Sequence, residues 1–206
     1  MRQVPDGSVM RVGVLALQGD FLNHADTLRR LSVETVLVKT PADLDVDGIV
    51  IPGGESTTMS MLLKSSGLYA PLNDLLRNGM PALGTCAGMI LMAKSVTDGR
   101  PDQVTLDAID IAVRRNGFGR QVASFETELN VSGIKGGPMK AVFIRAPVVV
   151  KVAEDVEVLA RVLYNFADSS ERSVPVVCRQ EKVIVSSFHP ELVGEDRLHQ
   201  LFLRLL

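Results

Sequence analysis

A short stretch near the middle of the chain constrains its fold more than any other. Residues 81–83 form an apolar, strand-like run, residues 84–88 read Gly-Thr-Cys-Ala-Gly, and a helical pattern follows over residues 89–93. A strand that turns sharply into a helix around Gly-x-Cys-x-Gly is typical of a nucleophile elbow, here with Cys86 at its tip. Glycines suit such a turn because a Cβ at either position would collide with it. The start of the helix favours a thiolate, and its free N–H groups can hold an oxyanion.

A second signal lies near the C-terminus, where residues 183–191 read Val-Ile-Val-Ser-Ser-Phe-His-Pro-Glu. The β-branched run predicts a strand that Pro190 stops, so His189 is expected at the same sheet edge as Cys86, where α/β sheets bind ligands. A thiol nucleophile needs a base, and the base needs an orienting partner. Glu191 can accept a hydrogen bond from the imidazole. Taken alone, the cysteine suits a buried apolar position and the His-Pro-Glu a surface turn. The two strand ends together favour a Cys-His-Glu triad.

Strand and helix patterns alternate along the chain. They occur at residues 11–17, 35–38, 48–51 and 81–83 for strands, and at residues 23–31, 58–65, 69–77 and 197–206 for helices. This order predicts an α/β fold of three layers, flavodoxin-like, with a mostly parallel central sheet and helices on both faces. Residues 104–167 predict a small antiparallel addition to one edge, and residues 174–188 a hairpin that returns to the sheet. His24 and His199 lie on the first and last helices, where neither needs a chemical role.

Two polar loops complete the candidate site. Residues 52–58 read Pro-Gly-Gly-Glu-Ser-Thr-Thr, and their adjacent glycines can turn backbone N–H groups toward a ligand. A plain tight turn or a phosphate cradle also fits, although the lysine of a P-loop is absent. Glu55 indicates a cationic group nearby, such as an ammonium. Residues 114–121, Arg-Arg-Asn-Gly-Phe-Gly-Arg-Gln, suit a loop that reaches a carboxylate, although composition alone favours a solvated surface turn.

Length and charge set limits on the class of protein. The 206 residues suffice for one domain, which we expect to span residues 10–206 after a flexible extension at residues 1–9. A net charge of −2 gives no electrostatic case for nucleic acid or an anionic membrane, and no apolar run is long enough for a membrane span. Two cysteines make no disulfide framework and fit a reducing cytosol, so the protein is expected to be cytoplasmic, with Cys178 packed in a strand.

The motifs together resemble those of a known family. The Gly-Thr-Cys-Ala-Gly and His-Pro-Glu segments are similar to those of the class I, or triad, glutamine amidotransferases. A closer resemblance is to the glutaminase subunits of pyridoxal 5′-phosphate synthases, and it extends over nearly the whole chain beyond residue 9. Residues 98–111 fit that pattern only loosely. The segments that carry the closer resemblance are residues 14–19, 52–58, 115–121, 143–147 and 187–191.

The resemblance implies a reaction and a partner. L-Glutamine would be hydrolysed to glutamate and ammonia through a glutamyl thioester on Cys86, with His189 as base and then acid, and with neither a metal ion nor a cofactor. The ammonia would pass to a separate synthase subunit that builds pyridoxal 5′-phosphate from a pentose phosphate and a triose phosphate. The implied site residues are Cys86, His189 and Glu191 for catalysis, Gly54 and Ala87 for the oxyanion hole, and Gly53, Gly54, Glu55, Arg115, Ile144 and Arg145 for binding glutamine.

Three other functions stay open on the sequence. The chain could serve an amidotransferase of another pathway, such as imidazole glycerol phosphate or anthranilate synthesis, against which the Gly-Gly-Glu-Ser-Thr loop argues. It could be a non-catalytic regulatory module on the same fold, against which the intact triad argues. A cysteine peptidase on a related fold would leave the glutamine loop without a purpose.

Overall fold

The computed structural model describes residues 10–118, 124–166 and 170–206. The predicted extension at residues 1–9 lies outside the described residues, as do residues 119–121 of the arginine-glycine loop. Two short 3-10 helices, Pro41–Leu44 and Pro190–Val193, accompany the main elements. In chain order, the main elements are β1 (Arg11–Leu15), α1 (Phe21–Arg30), β2 (Glu34–Val38), β3 (Gly48–Ile51), α2 (Ser56–Ser65), α3 (Tyr69–Arg77), β4 (Ala82–Thr85), α4 (Ala87–Met92), β5 (Ala93–Val96), β6 (Ile109–Arg114), β7 (Ser124–Leu129), β8 (Met139–Ile144), β9 (Val148–Val152), β10 (Glu157–Asn165), β11 (Glu171–Gln180), β12 (Val183–Ser186) and α5 (Arg197–Leu203).

The central sheet has seven strands in the order β10-β11-β12-β4-β3-β1-β2. The five strands from β12 to β2 run parallel, and β11 and β10 continue the sheet antiparallel beyond β12. Every residue of β3, β4 and β12 is buried, as expected for strands that are covered on both faces. The predicted α/β fold with a mostly parallel sheet is confirmed.

Apolar side chains that alternate along the strands divide the interior into two cores. On one face, Val12, Val14 and Val50 pack with the buried residues of α1 and α5 and with the β7–β8 hairpin. On the other, Ile49 and Ile51 pack with α2, α3 and α4. The sheet is therefore the middle of three layers, because its successive side chains point to opposite faces. None of the helices in the described ranges is long and apolar enough to cross a membrane.

The middle of the chain differs from the predicted antiparallel addition to one edge. Of the strands in the described part of this segment, β10 alone adds to an edge of the main sheet. β5, β6 and β9 form a separate three-stranded sheet in which β5 and β6 are parallel, and β7 and β8 form a hairpin of their own. The alternating buried residues of β6, which are Ile109, Ile111 and Val113, belong to the core of the α2–α4 face. This strand therefore covers that face instead of widening the sheet.

The position of β12 determines where the candidate residues meet. β12 lies beside β4 in parallel register, with Ser186 opposite Thr85, and the predicted hairpin of β11 and β12 is present. The two strands end at the same edge of the sheet. The chain leaves β4 at Cys86 and leaves β12 toward His189, so the fold brings both turns to one place, as the sequence predicted.

Candidate active site

Cys86 lies on a sharp turn between β4 and α4. Its backbone has φ 49° and ψ −104°, a conformation that non-glycine residues rarely adopt, and its N–H donates to the Ser186 carbonyl at 2.8 Å. The flanking glycines are required by close packing: a Cβ on Gly84 would lie 2.5 Å from the Met92 sulfur, and one on Gly88 would overlap the Ile51 carbonyl. The turn has the form that the Gly-x-Cys-x-Gly pattern predicts.

His189 follows β12 and precedes the 3-10 helix Pro190–Val193. Its backbone N–H donates to the Val142 carbonyl at 2.9 Å, which ties it to β8. Its Nδ1 lies 2.7 Å from Glu191 Oε1. An ionised carboxylate only accepts, so Nδ1 carries the proton and donates it to Glu191. Cys86 lines the same cavity as His189 and is near enough to the imidazole to influence its ionisation, while the Cys86 thiol donates to the Ile144 carbonyl at 3.8 Å. The structure therefore brings Cys86, His189 and Glu191 together in that order.

The imidazole of His189 and the carboxylate of Glu191 each stabilise the charged form of the other. Burial by itself would lower the pKa of His189, but the adjacent Cys86 and Glu191 raise that pKa well above its usual range. Burial by itself would raise the pKa of Glu191, but His24 and His189 hold it well below its usual range. Glu191 is thus a buried carboxylate that stays charged, and it favours a proton on His189.

A cavity of about 400 Å³ opens in front of Cys86 and His189. A volume of this size suits a small molecule. Ala87 and Glu191 do not line the cavity. Glu191 contacts the imidazole of His189 at Nδ1. The lining includes every residue that the resemblance assigns to glutamine: Gly53, Gly54, Glu55, Arg115, Ile144 and Arg145.

The loop after β1 holds the Gly53–Gly54 peptide in place. The Asp20 N–H donates to the Gly53 carbonyl at 3.0 Å, and the Glu55 N–H donates to Gln18 Oε1 at 2.9 Å. Gln18 and Asp20 both line the cavity, although neither was predicted as a site residue. Their position directly after a buried parallel strand, at the edge that carries Cys86, is the signal that could have identified them.

Glu55 has a cation beside it, as predicted, and that cation is Arg115. Its carboxylate accepts from Arg115 Nη2 at 3.2 Å and caps α2 by accepting from the N–H groups of Thr57 and Thr58 at 3.1 and 2.7 Å. Partial burial acts against ionisation, but the hydrogen bonds from Thr58 and Thr57 lower the pKa of Glu55 to about 2. Glu55 and Arg115, two of the residues that the resemblance assigns to glutamine, are therefore paired with each other.

Arg115 does not lie on a solvated surface turn, so the interpretation from composition alone is wrong. Its guanidinium also donates to Thr57 Oγ1 at 2.9 Å and to Gln103 Oε1 at 3.2 Å. Its backbone N–H donates to Asp98 Oδ1 at 2.7 Å. Asp98 and Gln103 belong to the segment that fits the family pattern loosely. In this chain, that segment helps to hold Arg115 at the cavity.

Three residues that line the cavity share a strained backbone. Cys86, Asn116 and Arg145 have φ values of 49°, 45° and 44°. Each such non-glycine position costs on the order of 1–3 kcal/mol and persists only when its surroundings enforce it. Such strain is common at functional sites, and here it coincides with the loops that converge on the Cys86 thiol.

Comparisons with known proteins agree with this geometry. The pyridoxal 5′-phosphate synthase subunit PdxT of Rhodococcus jostii is 53% identical over 196 residues, which are 95% of this chain and 96% of the relative. The subunit of the same name from Mycobacteroides abscessus is 52% identical over 196 residues, with the same shares of the two chains. A solved glutamine amidotransferase is 45% identical with a TM-score of 0.84, covering 94% of this chain and 97% of its own.

A more distant structure extends the likeness in fold alone. A glutamine amidotransferase from Thermotoga maritima superposes with a TM-score of 0.58 at 14% identity, covering 96% of this chain and 84% of its own. The sequence itself matches one family over residues 14–206, almost its whole length. Because the match covers almost the whole chain and the site geometry agrees with it, the chain belongs to the SNO glutamine amidotransferase family.

Proposed function

We propose that this chain hydrolyses L-glutamine at Cys86 and supplies the ammonia to the synthase subunit of a pyridoxal 5′-phosphate synthase. One observation carries the proposal: the thiol of Cys86, the imidazole of His189 and the carboxylate of Glu191 form one row beside a cavity. The relatives named PdxT support the identity of the synthase. A single glutaminase domain over residues 10–206 would carry the reaction, in the reducing cytosol that suits two free cysteines.

In the first half of the reaction, His189 takes the proton of the Cys86 thiol. Because Nδ1 donates to Glu191, the nitrogen left for this transfer is Nε2. The thiolate attacks the side-chain carbonyl carbon of glutamine and forms a carbon–sulfur bond. The imidazolium then returns its proton to the amide nitrogen, the carbon–nitrogen bond breaks, and ammonia leaves. The product is a γ-glutamyl thioester on Cys86.

Backbone N–H groups on both sides of Cys86 suit the oxyanion of this step. Ala87 is the first residue of α4, so its N–H has no acceptor within the helix. Gly54 lies across the cavity in the loop after β3. We assign these two N–H groups to the oxyanion hole, where one donor is typically worth about 10²–10³-fold in turnover.

In the second half, water releases the product. His189 Nε2 takes a proton from water, the hydroxide attacks the thioester carbon, and the carbon–sulfur bond breaks as the thiolate is protonated. Glutamate leaves and the Cys86 thiol is restored. The buried charge of Glu191 supports the imidazolium in both halves.

The charged rim of the cavity matches the α-amino acid end of glutamine. Glu55 would accept from the ammonium, and Arg115 would donate to the α-carboxylate. The two side chains pair with each other at 3.2 Å. When glutamine binds, its ammonium and α-carboxylate would replace part of the contact between Glu55 and Arg115. Gly53, Ile144 and Arg145 would contact the rest of the substrate from the cavity wall.

An assay of glutamate release tests the proposal, with and without the synthase subunit of a pyridoxal 5′-phosphate synthase. The parent chain with its synthase should release glutamate and form pyridoxal 5′-phosphate from glutamine. Cys86→Ala should abolish both, whereas Cys178→Ala serves as a matched control because that thiol is buried in β11.

An ammonium salt separates a failed glutaminase from a failed synthase. With ammonium supplied, the complex that contains Cys86→Ala should again form pyridoxal 5′-phosphate. Glutamate release with no coupling to this synthase would point to another amidotransferase pathway. No glutamate release from the parent complex would contradict the proposal and favour a regulatory module.

A further inference from the structure

The three histidines of the chain lie in one buried row behind the cavity. His24 on α1 and His199 on α5 are both fully buried. His24 Nδ1 lies 2.8 Å from His199 Nε2. On its other side, His24 Nε2 lies 3.0 Å from Thr85 Oγ1 and 3.4 Å from Glu191 Oε1. The row therefore runs from His189 through Glu191 to His24 and His199.

The buried carboxylate determines which nitrogen of His24 carries a proton. A bare Nε2 would place its lone pair against Glu191 Oε1 in a low-dielectric interior, which is unfavourable. With a proton on Nε2, the N–H can donate to Thr85 Oγ1 at 3.0 Å, and Glu191 Oε1, 3.4 Å from Nε2, lies beside a donor instead of a lone pair. Nδ1 is then an acceptor, and His199 can donate its Nε2–H to it at 2.8 Å.

The surroundings of His199 agree with this arrangement. Burial lowers the pKa of His199 to about 3, so its ring is neutral at ordinary pH. Its Nδ1 has no hydrogen-bond partner among the described residues. If His199 carried its proton on Nδ1, that buried N–H would have no acceptor, and His24 would need a second proton and a positive charge to donate to the bare Nε2 of His199. With the proton on Nε2, only the lone pair of Nδ1 is left unpaired, which is less costly. The proton of His199 therefore belongs on Nε2, facing His24.

We infer that His24 is a positioning residue for the glutaminase reaction, holding Glu191 and the Cys86 turn in register through its Nε2–H. Glu191 Oε1 receives the N–H of His189 from one side and faces that of His24 from the other, while Oε2 has no donor among the described residues. Thr85 immediately precedes Cys86. The Nε2–H of His24 therefore lies close both to the carboxylate that orients His189 and to the end of β4, which carries Cys86.

Two substitutions of similar size separate this role from simple packing. His24→Gln keeps an N–H close to the position of Nε2, whereas His24→Met has the same length and no donor. This inference rests on the proposed glutaminase reaction, so turnover is measured in the complex with the synthase subunit. His24→Met should lower kcat about tenfold with KM for glutamine unchanged, the scale of one hydrogen bond to a charged group. His24→Gln should recover kcat to within about threefold of the parent.

The kinetics of the parent complex and of the His24 variants distinguish a failure of this inference from a failure of the proposed function. A parent complex without glutaminase activity would refute the proposed function itself. An active parent with equal kcat in the Gln and Met variants, or a change confined to KM, would overturn the role of His24.

Ring ¹⁵N NMR of the parent chain tests the inference without any variant that must fold. With only three histidines in the sequence, each ring nitrogen can be resolved. We expect a proton on Nε2 of His24. A bare Nε2 on His24 would place a lone pair against Glu191 and overturn the inference, whatever the glutaminase activity.

Discussion

Gly53 lies directly against the imidazole ring of His189. A Cβ on Gly53 would overlap the ring at Cε1 and would stand only 2.9 Å from Nδ1. The ring is therefore confined between the loop after β3 on one side and Glu191 at Nδ1. The glycine pair of this loop thus does more than turn the chain: it leaves the space in which the imidazole can face Cys86.

Gly53→Ala should displace His189 and lower kcat by about 10²-fold, within the range that a positioned general base contributes. The measurement is glutamate release in the complex with the synthase subunit. A double variant provides the control: in a His189→Ala background, Gly53→Ala should cost almost nothing further, because the ring it displaces is gone. Additive losses would mean that Gly53 acts through something other than His189.

His189 and Glu191 should not be equally costly to replace. His189→Ala removes the group that carries the proton, and kcat should fall by about 10²–10⁴-fold. Glu191→Gln keeps the shape of the side chain but loses the charge that supports the imidazolium, so its loss should be smaller. Steady-state glutaminase kinetics of both variants would check this order. Near-normal turnover in His189→Ala would refute the triad.

Much of this site could be predicted from the sequence because its signals are local. The glycines around Cys86 and the strand that leads to His189 each belong to one short segment, and a parallel sheet brings their ends together. The contact between His24 and Glu191 could not be predicted in this way. It depends on how α1 packs against the loop after β12, and a lone histidine on a helix carries no sign of that packing.

The arginine-glycine loop shows the same limit. Composition favoured a solvated turn, yet Phe118 is buried and Arg115 is held by Glu55, Thr57 and Gln103. Those contacts join residues far apart in the chain. The separate sheet of β5, β6 and β9 was missed for a related reason: alternation predicts a strand, but it does not determine which core the strand covers.

Acid should destabilise the fold through His199. Its pKa is lowered to about 3 in the folded chain, whereas an unfolded histidine titrates near 6.5. Between these values the unfolded state binds more protons, so this group costs nothing above pH ~6.5 and lowers stability as the pH falls toward 3. From pH 7 to pH 5 the free energy of unfolding should fall by about 2 kcal/mol on its account.

His199→Gln isolates this contribution, because it keeps a donor toward His24 and cannot be protonated. Urea unfolding at pH 7 and pH 5 would measure it. The loss of stability between the two pH values should be about 2 kcal/mol smaller in the variant than in the parent. Equal losses would show that His199 is protonated in the folded chain or exposed to water.

Contact with the synthase should switch the glutaminase on by breaking the hydrogen bond from the Asp20 N–H to the Gly53 carbonyl, which frees the Gly53–Gly54 peptide to rotate. An N–H rotated into the oxyanion hole is worth about 10²–10³-fold, so glutamate release should rise by about that factor when the synthase is added, mainly in kcat. Gly54→Ala should reduce the rise, because its Cβ would lie 2.5 Å from Gln18 Oε1 and 3.0 Å from the Gly19 Cα and would restrict rotation. An isolated chain that is fully active, and unchanged by the synthase, would exclude such a switch.

Covalent labelling by a diazo-ketone analogue of glutamine tests most directly whether Cys86 is the nucleophile. Cys178 is the internal control: it is fully buried in β11, and burial raises the pKa of its thiol to about 12. Mass spectrometry of the labelled chain, in the presence of the synthase subunit, locates the adduct. We predict one adduct per chain, on Cys86, that excess glutamine prevents and Cys86→Ala abolishes. An adduct on Cys178 with Cys86 unmodified would contradict the assignment.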